Sequence, residues 1–578
     1  MLRNQEIAQI FEDVANLLEI RGDNIHRVLS YRRAGENIRA LGQELADIRA
    51  AGGLTGISGI GKTLAEKIEE MLDTGQLEFY ERVAAEVPSS LLELMKVDGL
   101  GPKRIKLVYE QLSITTLDEL EAAAQAGKLQ DLPKMGKKSE EKILKSITML
   151  RQHGDDRYPL GEALPLAEQI LKALQTVAGV KKTAVAGSTR RRRETIGDLD
   201  LLVAADDAEA VMQTFCELPL ADKVALRGPT KSRIILPNGL GVDLRVLPEE
   251  NWGTLLSYFT GSQAHNVRLR ELAQKKGLSL NEYSFTKMET GEDILCASEE
   301  EVYAVLDLPY IPPTLRENRG EIEAARNGQL PELITQEAIV SDLHMHTTWS
   351  DGKMTILEMA QAAQARGLKY IVITDHSASL GIANGLSIKR LREQAAEITA
   401  ANEQMGSDFR ILHGTEMEIK ADGSLDFPDE VLAGLDFVIA SLHVSLNQSQ
   451  EQVTERMLNA IRNPHVDMIA HPTGRLLPSR PGADLDMEQI FTAAAEHDTI
   501  LEINANPRRL DLRDTHIRRA KELHMKLAIN TDAHHVDHFE LLPYGIATAQ
   551  RGWVTAADVV NTWPLTKLVD FLAKRSAA

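Results

Sequence analysis

Thirteen of the sixteen histidines lie beyond residue 338, and several stand where a short apolar run ends. The runs are VSDLHMH, KYIVITDH, FRILHGTE, FVIASLH, DMIAHP, ILEINA and KLAINTDAH, separated by segments of helical periodicity. Strands alternating with helices predict a parallel α/β barrel over residues 339–578, in which residues at the C-terminal strand ends converge on one face. His344 and His346 alternate on the first strand and share a side. Asp351 follows in the loop, and His376, Glu416, His443, His471, Asp532 and His534 come at or just past later strand ends. A lone histidine in such a place is an ordinary hydrogen-bonded loop residue; nine potential ligands at one end of a barrel are a metal centre. Imidazole and carboxylate together suit Zn²⁺, Mn²⁺ or Fe²⁺ better than Ca²⁺. One ion cannot use nine ligands, so two or three are expected. His413, His465, His497, His516, His524, His535 and His538 fall outside the pattern.

The remainder of the 578 residues is too long for one core and divides by composition. Short amphipathic helices with glycine-centred turns fill residues 1–150, predicting an all-α region with domains at 1–80 and 81–150. Strand patterns begin with TAVAG and DLDLLVAA, giving an α+β domain at 151–250. Residues 251–315 read as a mostly helical subdomain, and the polar stretch 316–338 as a linker. Two cysteines far apart, Cys216 and Cys296, indicate neither disulfides nor a thiolate metal site, and a reducing cytoplasm fits. No signal-like apolar segment or membrane span is found in the sequence, so no membrane association is expected. The formal charge of −20 argues against a nucleic-acid partner only if taken globally, because Arg190, Arg191, Arg192 and Arg193 make a local basic run.

In AGSTRRRRETIGDLDLLV a Gly187-Ser188 turn and that arginine run precede Gly197, Asp198 and Asp200. The two aspartates alternate on a strand and face one side of its sheet. Asp243 in GVDLRVL supplies a third carboxylate. Three convergent carboxylates suit two Mg²⁺ (or Mn²⁺) ions that align a 3′-hydroxyl with an α-phosphate. The Gly-Ser turn and arginines suit the β and γ phosphates. A lone DxD more often caps a strand end, but GS, GDLD and VDLR at these spacings form a set.

With SYFTGSQAHNVRLRELA downstream, these motifs resemble the family X DNA polymerases, the DNA polymerase beta family, over residues 1–315. HxH, a loop aspartate, TDH and a late DAH resemble the PHP phosphoesterases over the last segment, and together the two parts look like the bacterial and archaeal two-part form. The resemblance implies a palm in which Asp198, Asp200 and Asp243 bind catalytic metals and Gly187, Ser188, Arg191 and Gly197 hold the triphosphate. Tyr258, Phe259 and Gly261 would shape the sugar pocket, with Asn266 and Arg270 facing the nascent base pair and His265 beside them. The distorted TIM-like PHP barrel would divide its ligands three ways: His344, His346, Glu416 and Asp532; Glu416 bridging to His443 and His471; and Asp351, His376 and His534. Gap filling with dNTPs on gapped or primer-template DNA follows, in base excision repair, by a cytoplasmic, nucleoid-associated monomer whose barrel trims 3′ ends. Two other readings of the barrel are a small-molecule phosphatase and a metal-stabilised module without catalysis.

Residues 56–63, GISGIGKT, satisfy the P-loop expression, but no strand pattern precedes them and no strong second motif follows. A helix-hairpin-helix turn describes them better, with Gly59 and Gly61 permitting the turn and Lys62 opening the next helix toward a DNA phosphate. VDGLGPKRIKLVYEQL repeats it with Gly99, Gly101 and Lys103, and LPKMGKKSEEKILKSI around Gly136 is a weaker third copy. Such hairpins favour backbone contacts over base readout. The first also resembles the lyase domain of the same polymerase family. That likeness makes Lys67 a Schiff-base nucleophile, although Thr63 stands where the family often has a supporting lysine. A 5′-phosphate contact by Tyr31, Arg32 or Lys62 is the plainer expectation.

Overall fold

A computed structural model describes residues 2–577 apart from 98, 134 and 154–156; Asp98 and Lys134, in the second and third hairpin motifs, thus lie outside the described residues. The chain forms two compact units, Met1–Asp156 and Arg157–Ala578.

The first unit is helical among its described residues, as expected. Helix Asn4–Arg21 shows why: Ile7, Phe11, Val14 and Leu18 recur at the helical period and are fully buried, and the helix stops at Gly22 (φ 92°), whose N–H bonds back to the Leu18 and Glu19 carbonyls. One buried cluster runs from Ile7 to Ile147, so residues 1–80 and 81–150 share a core. At the first hairpin Gly59 is left-handed (φ 78°) and Gly61 precedes helix Lys62–Thr74; at the second Gly99 (φ 91°) and Gly101 precede helix Pro102–Leu112. No strand lies ahead of Gly56 among the described residues, so the P-loop reading fails on topology as well as on sequence.

In the second unit a five-stranded sheet comes first: β1 (Val180–Val185), β2 (Asp198–Ala205), β3 (Lys223–Arg227), β4 (Lys231–Ile235) and β5 (Gly241–Leu247), in spatial order β1-β2-β5-β4-β3. Alternation on β2 sorts its residues. Leu199, Leu201 and Val203 turn to the helices Leu160–Leu174 and Ala208–Cys216, while Leu202 and Ala204, in phase with Asp198 and Asp200, pack under Trp252, Leu255 and Leu256. Helices Trp252–Thr260, Gln263–Lys275 and Glu299–Val305 and a small antiparallel sheet make up the next subdomain.

The stretch expected as a linker is packed, not loose. Helix Glu321–Arg326 buries Ile322 and Ala325 on that subdomain, and the Arg316 side chain, fully buried, donates to Glu299 at 2.5 Å and to the Ile311 carbonyl. Polar composition concealed this because the buried charges neutralise one another locally.

Seven parallel strands follow in sequential order, β6 (Ser341–Asp342), β7 (Tyr370–Ile373), β8 (Arg410–Glu418), β9 (Phe437–Ser441), β10 (Met468–Ile469), β11 (Ile500–Asn504) and β12 (Leu527–Asn530). A parallel bridge between Met345 and Ala533 joins the two edges just beyond the strands, so the barrel is nearly closed. Its bottom is filled by Tyr370, Val372, Phe437, Ile439, Met468, Ile500 and Ala528, and plugged by Trp563 and Leu568. These residues set the inward phase. Two or four positions further along, the same phase delivers Glu416, Glu502, Asn530 and Asp532 to the upper interior.

Candidate active sites

On the palm sheet β2 and β5 run parallel with Asp200 paired to Asp243 and Asp198 to Gly241, so the three predicted carboxylates share one end of one face. Burial first, then the Asp198 and Asp243 carboxylates, push the Asp200 pKa up to about 7. Like charges held this close are what divalent cations relieve, and the donor set fits Mg²⁺ or Mn²⁺. Arg233, which sequence reasoning missed, donates to Asp243 and lies 3.6 Å from Asp198, with Lys231 3.5 Å from Asp243.

Gly187 (φ 59°) begins the helical turn Gly187–Arg190 directly against this cluster: a Cβ there would sit 2.1 Å from Asp200 Oδ2. Only glycine lets the turn approach that carboxylate. Arg191 donates from Nε to Glu317 Oε1 at 3.0 Å and from Nη1 to the Thr260 carbonyl at 2.5 Å, and Arg190 forks onto Glu299. Tyr258, Asn266 and Arg270 meet around one narrow gap of about 10 Å³, with Asn266 donating to the Tyr258 carbonyl at 2.7 Å. Phe259 lies beside Tyr258 (5.2 Å between centroids) under the Arg245 guanidinium, and Gly261 (φ 69°) ends their helix. His265 is fully buried behind them, its Nδ1 2.6 Å from Glu321 and its Nε2 2.9 Å from the Tyr303 hydroxyl.

The barrel brings all nine predicted ligands together. Glu416 Oε2 lies 3.4 Å from His344 Nε2, 3.4 Å from His346 Nε2 and 2.9 Å from His376 Nδ1, and its Oε1 lies 3.0 Å from His471 Nε2 and 3.4 Å from His443 Nε2. Asp532 Oδ1 stands 3.3 Å from His346 Nε2, and Asp351 Oδ1 is 3.4 Å from His534 Nε2 and 3.7 Å from His376 Nε2. The tightest groups are His346, Asp351, His376 and His534; His344, His346 and Glu416; His344, His471 and Asp532; and His376, Glu416 and His443. His344, His346 and His376 therefore stand at junctions between groups as well as Glu416.

Several observations fit cations in this pocket. Both Glu416 oxygens are buried without a hydrogen-bond partner. Burial opposes the Glu416 charge, but His376, His443 and His344 outweigh it and hold its pKa well below the carboxylate range. Burial, with His376 and His534 beside it, presses the His346 pKa down to about 3, leaving that imidazole neutral with one nitrogen lone pair to give.

Around the ligands is a shell that the motifs did not announce. Glu502 Oε1 accepts from His344 Nδ1 at 2.8 Å and Asn530 Nδ2 at 3.0 Å, and its Oε2 accepts from the His471 N–H at 2.7 Å and Asn504 Nδ2 at 3.2 Å. Glu418 takes His443 Nδ1 at 2.7 Å. Each such bond fixes a tautomer and aims Nε2 into the pocket. Asp375 gathers Thr347, Ser350 and Gln394 beneath the loop that carries Asp351. The signal was present for Glu502, an acid inside the apolar strand ILEIN, as Glu416 is within its own.

In the helical unit, Lys67 Nζ sits 4.3 Å above the Phe79 ring, which also meets Arg27 at 4.7 Å and Arg82 at 5.1 Å and stacks on Tyr31. Burial first lowers the Lys67 pKa, helped by Arg82 and Arg27. Arg32, expected near a 5′-phosphate, is instead tied to Glu19 at 2.8 Å and Asn16 at 3.0 Å, because its position on helix Ile25–Arg39 faces the first helix. Lys62 and Lys103 are exposed at the starts of their helices, and a Cβ on Gly61, Gly101 or Gly136 would meet no atom within 4 Å, so each hairpin has an open approach.

Family comparisons agree with this anatomy. Residues 2–77 match a helix-hairpin-helix domain, 91–148 a SAM-like helix-hairpin-helix tandem, 255–317 the DNA polymerase beta thumb and 342–506 the PHP domain. The chain is 40% identical to the DNA polymerase/3′-5′ exonuclease PolX of Bacillus subtilis (strain 168), over 99% of its own length and 100% of that protein's. It is 26% identical to DNA polymerase lambda of Rattus norvegicus over 54% of its own length and 56% of that chain, and its barrel region is 32% identical to a probable phosphatase of Thermoanaerobacter sp. (strain X514), covering 41% of this chain and 96% of that one. With three carboxylates on one palm sheet, helical hairpins and a barrel that gathers nine His, Asp and Glu side chains in one chain, it belongs to the family X DNA polymerases (PolX) that carry a C-terminal PHP domain.

Proposed function

We propose that this chain is a DNA-directed DNA polymerase that fills short gaps with dNTPs, and that its barrel is a metal-dependent 3′-5′ exonuclease and 3′-end-processing phosphoesterase. The observation that carries the reading is the pairing of Asp200 with Asp243 beside Asp198 in a chain whose barrel also retains all nine ligands. The Bacillus relative, similar from end to end, is described by both activities. Open glycine turns with exposed Lys62 and Lys103 suit the phosphates of gapped or primer-template DNA. Lys67, with its lowered pKa over Phe79, supports a weak lyase activity on abasic ends. A single copy carries both sites. Among the described residues no helix is long and apolar enough to cross a membrane.

Asp198, Asp200 and Asp243 would hold Mg²⁺ or Mn²⁺, and the nine barrel residues two or three Mn²⁺, Zn²⁺ or Fe²⁺ ions. When bound, such cations supply Lewis acidity to the reacting phosphoester and its nucleophile. The protein's own groups do the placing. Arg233 restrains Asp243 and Asp198, and the Gly187 turn, which continues into Ser188 and the arginines, lies against Asp200. Tyr258, Asn266 and Arg270, which meet around a gap smaller than a nucleotide, would face the sugar and base. In the barrel Glu502 and Glu418 keep His344 and His443 in one tautomer. Arg509, with a buried Nη1 that has no hydrogen-bond partner and its Nε 3.6 Å from Asp532, is placed to receive a phosphate oxygen.

A 5′-labelled primer on a gapped duplex tests both halves. Asp198→Ala should abolish lengthening and spare shortening; His344→Ala should do the reverse in Mn²⁺. Extension by the first variant or undiminished shortening by the second would sink the corresponding half. The likeness to a probable phosphatase favours a second reading of the barrel as a small-molecule phosphatase. Phosphate released from histidinol phosphate, with no nucleotide released from DNA, would select it.

A further inference from the structure

Six charged side chains gather where the polymerase elements meet the barrel. Arg191 and Arg193 come from the end of the Gly187 turn, Glu317 and Arg319 from the packed stretch after the thumb, and Asp514 and Arg551 from barrel helices Asp514–Glu522 and Leu542–Arg551. Arg551 Nη1 donates to the Arg191 carbonyl at 2.8 Å and to Glu317 Oε1 at 2.9 Å, and its Nη2 to Asp514 Oδ2 at 2.5 Å. Arg191 Nε shares that same Glu317 oxygen at 3.0 Å, Arg319 shares the same Asp514 oxygen at 3.0 Å, and Arg193 Nη1 lies 3.8 Å from Glu317 Oε2. The Arg551 side chain is only 3% exposed.

Four guanidiniums thus face two carboxylates, an excess of two positive charges, of which only Arg193, 38% exposed, is well open to solvent. Buried charge is tolerated when it is paired, so the arrangement is complementary to an anion. The excess lies at the end of the turn that starts at Gly187, against Asp200, where a triphosphate would stand. Without Arg551, Glu317 would have Arg191 as its nearest strong partner and would neutralise it. With Arg551 on the same oxygen, that carboxylate is divided and Arg191 keeps part of its charge for a phosphate.

We propose that Arg551, supplied by the barrel, is a positioning residue for the triphosphate of the incoming nucleotide: it holds the Arg191 carbonyl, competes with Arg191 for Glu317, and so makes the barrel part of the polymerase's nucleotide site. This rests on reading the Gly187–Arg191 turn as the triphosphate cradle. The role needs the forked geometry of arginine, which reaches the Arg191 carbonyl, Glu317 and Asp514 at once and which lysine cannot reproduce.

The test uses full-length protein and single-nucleotide insertion on a gapped duplex, with the exonuclease rate of each preparation as a check on the barrel. Arg551→Gln should raise the dNTP KM about tenfold, with a smaller change in kcat and unchanged DNA affinity and nuclease rate. Arg551→Lys should recover part of the loss. Adding Glu317→Gln to Arg551→Gln should lower KM again, because the competing carboxylate is gone; loss of packing alone predicts no such rescue. Arg191→Gln tests the cradle separately. If it raises KM and Arg551→Gln does not, the role of Arg551 falls and the cradle stands; if Arg191→Gln leaves KM unchanged, the cradle itself falls. Should Arg551→Gln lose both activities through misfolding, Asp514→Asn, which removes one anchor of Arg551, is the milder variant, and an unaltered dNTP KM there overturns the proposal.

Discussion

Replacing Glu502 by glutamine changes one atom and should cripple the barrel's hold on metal. Both Glu502 oxygens face donors only: His344 Nδ1 and Asn530 Nδ2 on Oε1, the His471 N–H and Asn504 Nδ2 on Oε2. A glutamine must put its NH₂ at one of these places. Toward His471 it meets a backbone N–H that cannot become an acceptor. Toward His344 it is satisfied only if the imidazole moves its proton to Nε2, the nitrogen that points at Glu416 and Asp532. Either choice leaves a buried donor unpaired, at about 1–3 kcal/mol, and the second also removes a ligand lone pair. Loss of an outer-shell partner of this kind lowers metal affinity about 10–100-fold, or about 1.4–2.7 kcal/mol. Mn²⁺ titration of metal-stripped protein by calorimetry, with nuclease rate against Mn²⁺ concentration alongside, reads the effect, and primer extension by the same sample reports an intact palm. A Mn²⁺ affinity and nuclease rate within twofold of the parent would refute the tautomer argument.

Further outcomes follow from the same contacts. Gly187→Ala should reduce primer extension at least 100-fold, since its Cβ would sit 2.1 Å from Asp200 Oδ2 at a left-handed φ of 59°, with the nuclease untouched; near-normal extension would show that the turn can retreat from the carboxylate. His516 is half-buried beside Phe491 with its Nδ1 out of reach of solvent, and desolvation, with Arg513 and Arg475, holds its pKa well below the usual 6.5. Its folded pKa is depressed, so its contribution to stability is complete above pH about 6.5 and declines as pH falls below it. In urea unfolding at pH 7.5 and 5, His516→Leu should lose less stability on acidification than the parent, and an equal loss in both would contradict the assignment.

What was legible in the sequence was whatever leaves a local pattern. Strand phase put Asp198 and Asp200 on one face, glycine spacing marked the hairpin turns, and histidines at strand ends marked the barrel's upper rim. These follow from the fixed periods of strand and helix, which neighbours in the chain are enough to set. The resemblance to a known family supplied which residues to match, and the backbone placed them together.

Tertiary structure decided who faces whom. That Asp200 is paired with Asp243, that His346 and His376 join several ligand groups, and that Glu502 and Glu418 hold the imidazoles from behind depend on strand register between distant segments. The arginines show the difference best: one run of four looks uniform in sequence, yet Arg190 meets Glu299 and Arg191 meets Glu317 and Arg551, partners more than a hundred residues away. Charge has no period of its own. Its partner is set by packing, and so is whether a buried arginine is spent on a carboxylate or kept for a phosphate.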